Sequence, residues 1–384
     1  MSKAQEKTER VIKTLSHQEP DRIPVGEFFW GSFIESLKKE LKSPEPFDPY
    51  RYLDLDYVVM IPNMDPHIRP FQILESDERH VLVKTGFECT VMKRFDLPMP
   101  HYVDFDTKTV EEMDAFEFDD PRDRRRYFES VDDMINGVGD GFVRGLPPFV
   151  DRVKAYAGDF CVFGSVCEPY ETLWRMVGSE NALLKLAEAP EAVERFVRRI
   201  GDFMLEIGRA EIDAAGGILR GMYIWGDVAY RRGMFFSPEL WRRIFKPEVK
   251  RLCSEFHKRG LKVVYHGCGN ALAIFEDLIE AGIDAYNPLE AKAGLDVVEL
   301  KKKFGKRLAY CGNIDVAVLE RGTKENIRRE VLRKLSAARG GGYMPQSDHS
   351  VPGDVPPRNY LYALELIRQY GRYPLELGEF DEEM

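Results

Sequence analysis

The sequence predicts an α/β fold, a closed (β/α)8 barrel of the TIM type, and three observations support this prediction. From Phe160 onward, six short runs rich in β-branched and aromatic residues alternate with amphipathic helical patterns. This alternation is typical of parallel strands joined by helices. Two earlier strand-like runs bring the number of strands to eight, the number that closes such a barrel. No Gly-x-Gly-x-x-Gly element follows the first strand to favour a dinucleotide-binding fold.

The elements are predicted in chain order from periodicity and capping residues. Residues 5–18 form an N-terminal helical extension, because Val11, Ile12 and Leu15 recur at helical spacing. A later helix begins at Ser237 and Pro238, an N-cap followed by proline, and ends at Gly260. The predicted strands are 22–30, 56–62, 160–166, 218–225, 262–266, 284–288, 307–312 and 342–347, and the two longest helical patterns are 190–214 and 237–259.

One segment interrupts this order. Residues 81–92 alternate in polarity around Gly86, as the two strands of a β-hairpin do. We therefore expect a single barrel domain over residues 1–384 with an inserted hairpin or lid segment at 71–125. The part at 71–103 is either a lid or docking surface, or an insertion without a role in function.

Composition excludes two classes of protein. The formal net charge is −10, whereas a nucleic-acid-binding protein needs a basic surface. No apolar run approaches the roughly 18 residues that a membrane span requires. The first residues lack the apolar centre of a signal peptide, so we expect a cytoplasmic protein that contacts neither membrane nor nucleic acid.

Two metal-ligating side chains lie at the end of the fifth predicted strand. His266 and Cys268 are two residues apart, so in an extended chain they point the same way, and the glycines between and after them allow a turn. Imidazole and thiolate are ligands that zinc prefers. In a barrel, active sites lie at the carboxyl ends of the strands. The best predicted ligand set therefore adds His349 and, in a displaceable fourth position, Glu290.

Cys311, at the end of the seventh predicted strand, is the rival third ligand. A thiol there could reach inward, or it could be an ordinary buried cysteine. Asp348 is a candidate hydrogen-bond partner for the imidazole of His349. Glu290 is either a ligand that also takes part in catalysis or a solvated loop carboxylate.

Further polar and aromatic residues stand at other strand ends. Asp227 lies between Trp225 and Tyr230, where a carboxylate could orient a substrate or exchange a proton. The alternative for Asp227 is a helix cap or a salt bridge to Arg231 or Arg232. The aromatic residues either form a flat-sided pocket or belong to the core. The predicted substrate-binding residues are Phe29, Trp30, Glu168, Tyr170, Trp225 and Tyr230.

At these residues the chain resembles the uroporphyrinogen decarboxylase superfamily, and within it the zinc-dependent, corrinoid-linked methyltransferases. The His-x-Cys element is the specific mark, and the others place the family without defining the reaction. The segments that carry the resemblance are 225–230 (WGDVAY), 236–239 (FSPE), 266–269 (HGCG), 311–315 (CGNID) and 341–343 (GGY).

Two departures from the family pattern narrow the expected function. The family's decarboxylases carry an arginine-rich segment near the N-terminus, whereas residues 24–31 here are acidic and aromatic, which argues against a porphyrinogen substrate. Thiol-methylating members carry a zinc-ligating cysteine in the last strand, where this chain has His349. A zinc ion with fewer thiolates suits an oxygen leaving group.

The resemblance thus implies a zinc-dependent methyltransferase of the O-demethylase type. It would move a methyl group from a small methoxylated substrate, plausibly aromatic, to the cobalt of a corrinoid (cobalamin). The chain has no Asp-x-His-x-x-Gly element to ligate cobalt, so a separate corrinoid protein would carry that cofactor. Three alternatives remain: methyl transfer from a methyl-corrinoid protein to a thiol such as coenzyme M, decarboxylation or lysis of another substrate, and a non-catalytic corrinoid-binding subunit.

Overall fold

Seven parallel strands form a curled sheet surrounded by helices, so the predicted TIM-like α/β fold is confirmed. The structure, a computed structural model, describes residues 2–95, 97, 100–133 and 143–380. The strand order in the sheet is β1-β8-β9-β12-β13-β14-β15, where the labels follow chain order and are defined next. The strands of this sheet follow one another in chain order, as expected for successive strand–helix units, with β2–β7 and β10–β11 inserted between them in separate sheets.

The described strands and helices have the following bounds. The strands are β1 Tyr57–Val59, β2 Gln72–Ser76, β3 His80–Lys84, β4 Cys89–Arg94, β5 His101–Phe105, β6 Val131–Asp133, β7 Val143–Leu146, β8 Cys161–Cys167, β9 Gly221–Trp225, β10 Ala229–Tyr230, β11 Gly233–Met234, β12 Lys262–His266, β13 Ala285–Asn287, β14 Ala309–Ile314 and β15 Tyr343–Ser347. The α-helices are α1 Lys3–Leu15, α2 Gly31–Leu41, α3 Pro49–Tyr52, α4 Val110–Ala115, α5 Arg125–Phe128, α6 Phe149–Tyr156, α7 Pro169–Val177, α8 Ser179–Glu188, α9 Pro190–Ala214, α10 Pro238–Leu240, α11 Lys246–Lys258, α12 Phe275–Ala281, α13 Val297–Phe304, α14 Val316–Arg321, α15 Lys324–Ser336 and α16 Pro357–Tyr370.

Most sequence-predicted elements agree with these bounds. The N-terminal helix and seven of the eight strands are present, and the limits 262–266 and 190–214 are those of β12 and α9. The predicted helix at 237–259 is interrupted by a π-helical turn over Trp241–Phe245. Within the described residues, no helix has both the length and the apolar character required to cross a bilayer.

The prediction of a first strand at 22–30 was wrong. Within this segment the described structure has only two isolated bridges, from Arg22 to Arg372 and from Phe29 to Val351. The segment nevertheless occupies the gap between the two ends of the sheet. It contacts β1 through the Asp56 N–H, which donates to Val25 O, and it contacts β15 through Glu27. Side-chain hydrogen bonds thus replace most of the expected strand ladder.

Asp56 fixes this segment to the base of the barrel. Its fully buried carboxylate accepts the Val25 N–H and pairs with the guanidinium groups of Arg10 and Arg22. Arg10 also pairs with the exposed Asp21. A buried carboxylate is tolerated only when charge and hydrogen bonds compensate its lost hydration, and both are present here. The N-terminal helix, the 22–30 segment and β1 are therefore joined at one residue.

The predicted hairpin is confirmed and is part of a larger sheet. β3 and β4 pair antiparallel, and β2 and β5 extend them into a four-stranded sheet inserted after β1. Val83 and Val91 on one face are buried, so this face packs against the rest of the protein. Three neighbouring positions of the predicted insertion, residues 96, 98 and 99, lie outside the described residues.

Removal of the Asp56 charge tests the proposed anchor. We expect Asp56→Asn to lower the free energy of unfolding by about 3–5 kcal/mol, because two arginines would lose a buried carboxylate partner. The matched control is Asp21→Asn, which removes an exposed partner of the same Arg10 and should cost less than about 1 kcal/mol. Urea unfolding of both variants measures the difference, and equal losses would contradict the anchoring role.

Candidate functional site

The register of three parallel strands aligns the first site residues. Trp225 ends β9, His266 ends β12 and Asn287 ends β13, and the pairing places His266 opposite both Trp225 and Asn287. The Trp225 and His266 rings are in contact, with centroids 4.7 Å apart. Because all strands of the sheet are parallel, these three ends lie at one edge, where the predicted site was expected.

Asn287 determines which nitrogen of His266 can bind a ligand. The amide Nδ2 of Asn287 donates to the carbonyl of Cys311, so its Oδ1 is the acceptor that faces His266 Nδ1 at 2.5 Å. The proton of the imidazole therefore resides on Nδ1, and Nε2 carries the lone pair, which faces the Cys268 thiol. Such an outer hydrogen bond is typical of metal-ligating histidines. The sequence placed Asn287 at the end of a predicted strand. That His266 is its partner became evident only from the strand register of the structure.

Cys268 lies just beyond the end of β12 and close to His266. Its Sγ is 3.8 Å from His266 Nε2, and its N–H donates to Asp227 Oδ1 at 2.7 Å. Gly269 follows with a φ of +76°, and a Cβ there would lie 2.7 Å from the backbone of Ala229 and Tyr230. Only glycine fits this turn, which explains the residue type after the cysteine.

Burial influences the protonation of all three side chains. It lowers the pKa of His266 to about 4 and raises that of the Cys268 thiol well above its usual value. Burial, together with the nearby carboxylate of Glu171, raises the pKa of Asp227 to about 6. A neutral imidazole is ready to bind a metal, whereas the thiol needs a cation to become a thiolate in this environment.

Asp227, His266 and Cys268 together fit a metal ion. One donor atom from each lies within 4.8 Å of the other two. The donor set combines nitrogen, sulfur and carboxylate oxygen, which are the three ligand types that zinc uses in proteins. The sequence prediction named all three residues but gave Asp227 a catalytic role. Asp227 does not pair with Arg231, which instead donates to the Lys292 carbonyl.

The other predicted ligands have different surroundings. His349 lines the same cavity as His266 and lies edge-on to Trp30, with ring centroids 5.7 Å apart. Glu290 is buried, and its Oε2 accepts the Gly269 N–H at 2.7 Å while Lys292 pairs with Oε1. These contacts allow Glu290 to fix the loop that carries Cys268. The roles of both residues as ligands stay predictions.

Cys311 is not brought to this group. It lies in the middle of β14 rather than at its end, and its side chain is fully buried in the barrel interior with Tyr57, Tyr223 and Met344. Burial raises the pKa of its thiol. The sequence placed Cys311 at a strand end because the strand was predicted to stop at 312, whereas it continues to Ile314.

A cavity of about 580 Å³ opens beside the three donor side chains. Of the predicted substrate-binding residues, Phe29, Trp30 and Trp225 line it. The insertion also contributes, through Pro100 and Tyr102. A largely aromatic cavity with a few converging polar groups is the usual form of a small-molecule site.

The structure does not bring Glu168, Tyr170 and Tyr230 to this cavity. Glu168 caps α7 by accepting the N–H groups of Tyr170 and Glu171, and burial raises its pKa to about 8. Tyr170 is buried against Phe236. Tyr230 is 49% exposed because β10 and β11 form a hairpin that turns its side chain away.

Sequence reasoning missed a polar cluster on the first turns of α7. Glu171 accepts hydrogen bonds from the Trp174 indole at 2.8 Å and from the Asp227 N–H at 3.3 Å. Arg175 pairs with Glu171 at 2.7 Å and donates to the Tyr102 hydroxyl. The spacing of Glu171 and Arg175, four residues apart after a strand end, was the available signal. This cluster connects the insertion with Asp227.

Comparison with known proteins bears on the family and the fold. Residues 143–370 match the family model of uroporphyrinogen decarboxylase (URO-D). The uroporphyrinogen decarboxylase of Thermus thermophilus is 29% identical over 182 residues, which are 46% of this chain and 48% of that protein. That of Psychromonas ingrahamii is 24% identical over 257 residues, covering 63% and 68%. A solved methyltransferase from Methanosarcina mazei superimposes with a TM-score of 0.64 at 17% identity, covering 94% and 98%.

The fold, with a cavity at the carboxyl edge of its strands, is that of the TIM-barrel class. Because the family match spans more than half of its length, the chain belongs to the uroporphyrinogen decarboxylase family. It spans about half the length of the first curated relatives that it matches. The likeness to the methyltransferase, at 17% identity, shows a common fold.

Metal analysis of single variants tests the ligand set. We expect the wild-type chain to bind zinc, and His266→Ala and Cys268→Ser to lose it, because each removes a donor atom of the group. Asp227→Asn should lose more zinc than His349→Ala. The matched control is Cys311→Ser, which should retain zinc. Loss of zinc in Cys311→Ser, with retention in Asp227→Asn, would contradict this set.

A second variant tests the role of Asn287. We expect Asn287→Ala to weaken zinc binding about 10–100-fold, because His266 would lose the partner that keeps its proton on Nδ1. Titration with a zinc-competing chelator measures the affinity. Asn359→Ala is the control, since this amide also donates to a backbone carbonyl but lies on α16, away from the site. An unchanged affinity in Asn287→Ala would overturn the assignment.

Proposed function

We propose that the protein is a zinc-dependent methyltransferase that moves a methyl group from a methoxylated, plausibly aromatic, substrate to the cobalt of a separate corrinoid protein. The observation that carries the proposal is the Asp227, His266 and Cys268 donor set beside an aromatic cavity. The family membership and the methyltransferase fold support an enzyme of this kind. The identity of the metal, the donor and the acceptor are parts of the proposal.

His266, Cys268 and Asp227 would hold the zinc, together with His349, which the sequence predicts as the third ligand. When bound, the zinc supplies a Lewis acid that stabilises negative charge on the substrate oxygen. Trp30 and Trp225 line the space where an aromatic ring would lie. In the reaction the O–CH3 bond would break and leave its electron pair on the oxygen, which takes a proton from solvent, while the electron pair of the reduced cobalt forms the new bond to the methyl group.

The remaining polar groups would position these residues. Glu171 accepts the Asp227 N–H and is in turn held by Arg175 and Trp174. Glu290 accepts the Gly269 N–H and so fixes the loop after His266. Preorganised groups of this kind need not move during the reaction. A protein lowers the free energy of a charged transition state most effectively with such groups.

Arginines near the cavity and in the N-terminal segment already have partners within the protein, which argues against a polycarboxylate substrate. Arg175 is paired with Glu171 and bonded to Tyr102, and Arg152 donates to the carbonyls of Pro147 and Ile61. The N-terminal Arg22 pairs with Asp56 at the base of the barrel. Substrate carboxylates would have to compete with these partners. Decarboxylation of another acid stays an alternative because the curated relatives are named decarboxylases.

Methyl transfer to a thiol such as coenzyme M is the other alternative. Its expected zinc site has a second cysteine, for which Cys311 was the candidate. Cys311 lies within the barrel interior beside Tyr223, apart from the donor group. This position favours a zinc ion with one thiolate and therefore an oxygen leaving group.

The inserted segment 71–125 is proposed to cover the cavity as a lid. Tyr102 on β5 lines the cavity, accepts a hydrogen bond from Arg175 and packs edge-on against Trp174 at 5.0 Å. A bound substrate would thus lie between the insertion and the carboxyl edge of the strands. The corrinoid partner would approach the same opening.

A methyl-transfer assay tests this function. We expect the zinc-loaded enzyme to methylate reduced cobalamin, or a purified corrinoid protein, from a methoxylated arene, and the cobalt absorbance spectrum follows the reaction. Cys268→Ser should reduce the rate at least about 100-fold, because it removes a zinc ligand, whereas Cys311→Ser should retain it. If methoxyarenes, methanol and methylamines are all inactive while methylcobalamin methylates coenzyme M, the proposed direction is wrong.

A further inference from the structure

Glu27 joins the irregular 22–30 segment to the last strand of the sheet. It is 3% exposed, and its Oε2 accepts the Ser347 N–H at 3.0 Å. Its Oε1 is 2.7 Å from the Ser347 hydroxyl. The same hydroxyl oxygen is 2.7 Å from the carbonyl oxygen of His349. Ser347 thus stands between a carboxyl group and the backbone of a predicted site residue.

A count of protons limits how this contact can be arranged. A serine hydroxyl has one hydrogen to donate, yet Ser347 Oγ lies at hydrogen-bond distance from two oxygens. If Glu27 were ionised, both neighbours would be acceptors, and one contact would be a close approach of two oxygens without a proton. If Glu27 is protonated, it donates to Ser347 Oγ, which donates to the His349 carbonyl. Only this arrangement satisfies both contacts.

The surroundings of Glu27 favour its neutral form. Burial raises its pKa to about 7, against the opposing effect of the hydrogen bonds that Glu27 accepts from the N–H groups of Ser347 and Phe28. The carboxylate of Asp348 on the adjoining loop raises it further. The other titratable groups that interact with Glu27 are uncharged at neutral pH, namely Tyr50 on α3, Tyr57 on β1 and Tyr360 on α16. Tyr360 is also hydrogen-bonded to Glu27 through its side chain.

We propose that Glu27 is a positioning residue that, as a neutral hydrogen-bond donor, holds the His349 carbonyl through Ser347. The inference goes beyond the proposed function, because it concerns the fixing of the loop after β15 whatever reaction the cavity performs. It assigns a role to a residue outside the ligand group and outside the cavity lining.

The consequence of this relay is the alignment of two cavity residues. The Trp30 N–H donates to the Val351 carbonyl, and the Val351 N–H donates to the Phe28 carbonyl. Trp30 also packs edge-on against His349. Loss of the Glu27 proton would leave the His349 carbonyl without its donor and would loosen the loop at 347–351.

Two unique dipeptides in the sequence allow each end of the relay to be observed. His349 is the only one of the seven histidines that precedes a serine, and Gln346–Ser347 is the only Gln–Ser pair. Labelling with carbonyl-13C histidine and 15N-serine gives a single carbonyl–amide correlation for His349–Ser350 in the full-length chain. Labelling with carbonyl-13C glutamine and 15N-serine gives one for Ser347.

In the wild-type chain we expect both correlations to shift with one shared midpoint near pH 7, measured from about pH 5 to about pH 9. The His349 carbonyl signal should move upfield as the pH rises, since it loses a hydrogen bond. In Glu27→Gln this transition should be absent from both correlations. In Ser347→Ala the His349 carbonyl should no longer follow Glu27.

The matched control is Glu211→Gln, which removes another fully buried carboxyl group with a raised pKa, on α9 beside Ser165. The transition should persist in this variant. A wild-type His349 carbonyl that is unaffected across this range would overturn the proposal, as would the same transition in Glu27→Gln. If Glu27→Gln does not fold, Ser347→Ala decides the matter: a His349 carbonyl that still shows the transition in this variant would overturn the proposal.

Discussion

The common register of β9, β12 and β13 is the constraint on which the site depends. It aligns the last residues of the three strands, Trp225, His266 and Asn287, at one edge of the sheet. The indole of Trp225, the imidazole of His266 and the amide of Asn287 that fixes the imidazole proton thereby become neighbours without any contribution from distant loops. A shift of one residue in either pairing would direct the side chains to the opposite face and would separate them. The glycine turn at Gly269 then returns Cys268 toward His266.

Much of the fold could be predicted because periodic burial is a local property of the sequence. The limits of β12 and α9 followed from uninterrupted patterns of apolar residues, and the β3–β4 hairpin from alternation around a turn. The prediction of a first strand at 22–30 failed for a physical reason. The 22–30 segment is rich in apolar residues, as a strand is. Hydrogen bonds of the Asp56 and Glu27 side chains hold it in place, however, instead of a ladder of backbone hydrogen bonds. Pro24, which has no N–H to donate to a ladder, was the local signal against a regular strand.

The sequence allowed the types of residue in the candidate site to be predicted, but it was less informative about which of them lie close together. His266 and Cys268 were identified from spacing, and Asp227 from its place at a strand end. Cys311 lies inside the barrel rather than at a strand end, because β14 continues two residues beyond its predicted end. The Glu171 and Arg175 pair lies one to two turns into α7, where an exposed helical salt bridge and a buried site cluster have the same spacing. Burial and proximity between distant segments decide such cases, and both require the tertiary structure.

X-ray absorption at the zinc edge of the purified, zinc-loaded wild-type enzyme tests the central claim most directly. The account predicts one sulfur scatterer at about 2.3 Å, from Cys268, with the remaining positions filled by nitrogen and oxygen at about 2.0–2.2 Å. Two sulfur scatterers would require a second thiolate in the site. That result would contradict the ligand group of Asp227, His266 and Cys268, and with it the proposal that the metal serves an oxygen leaving group.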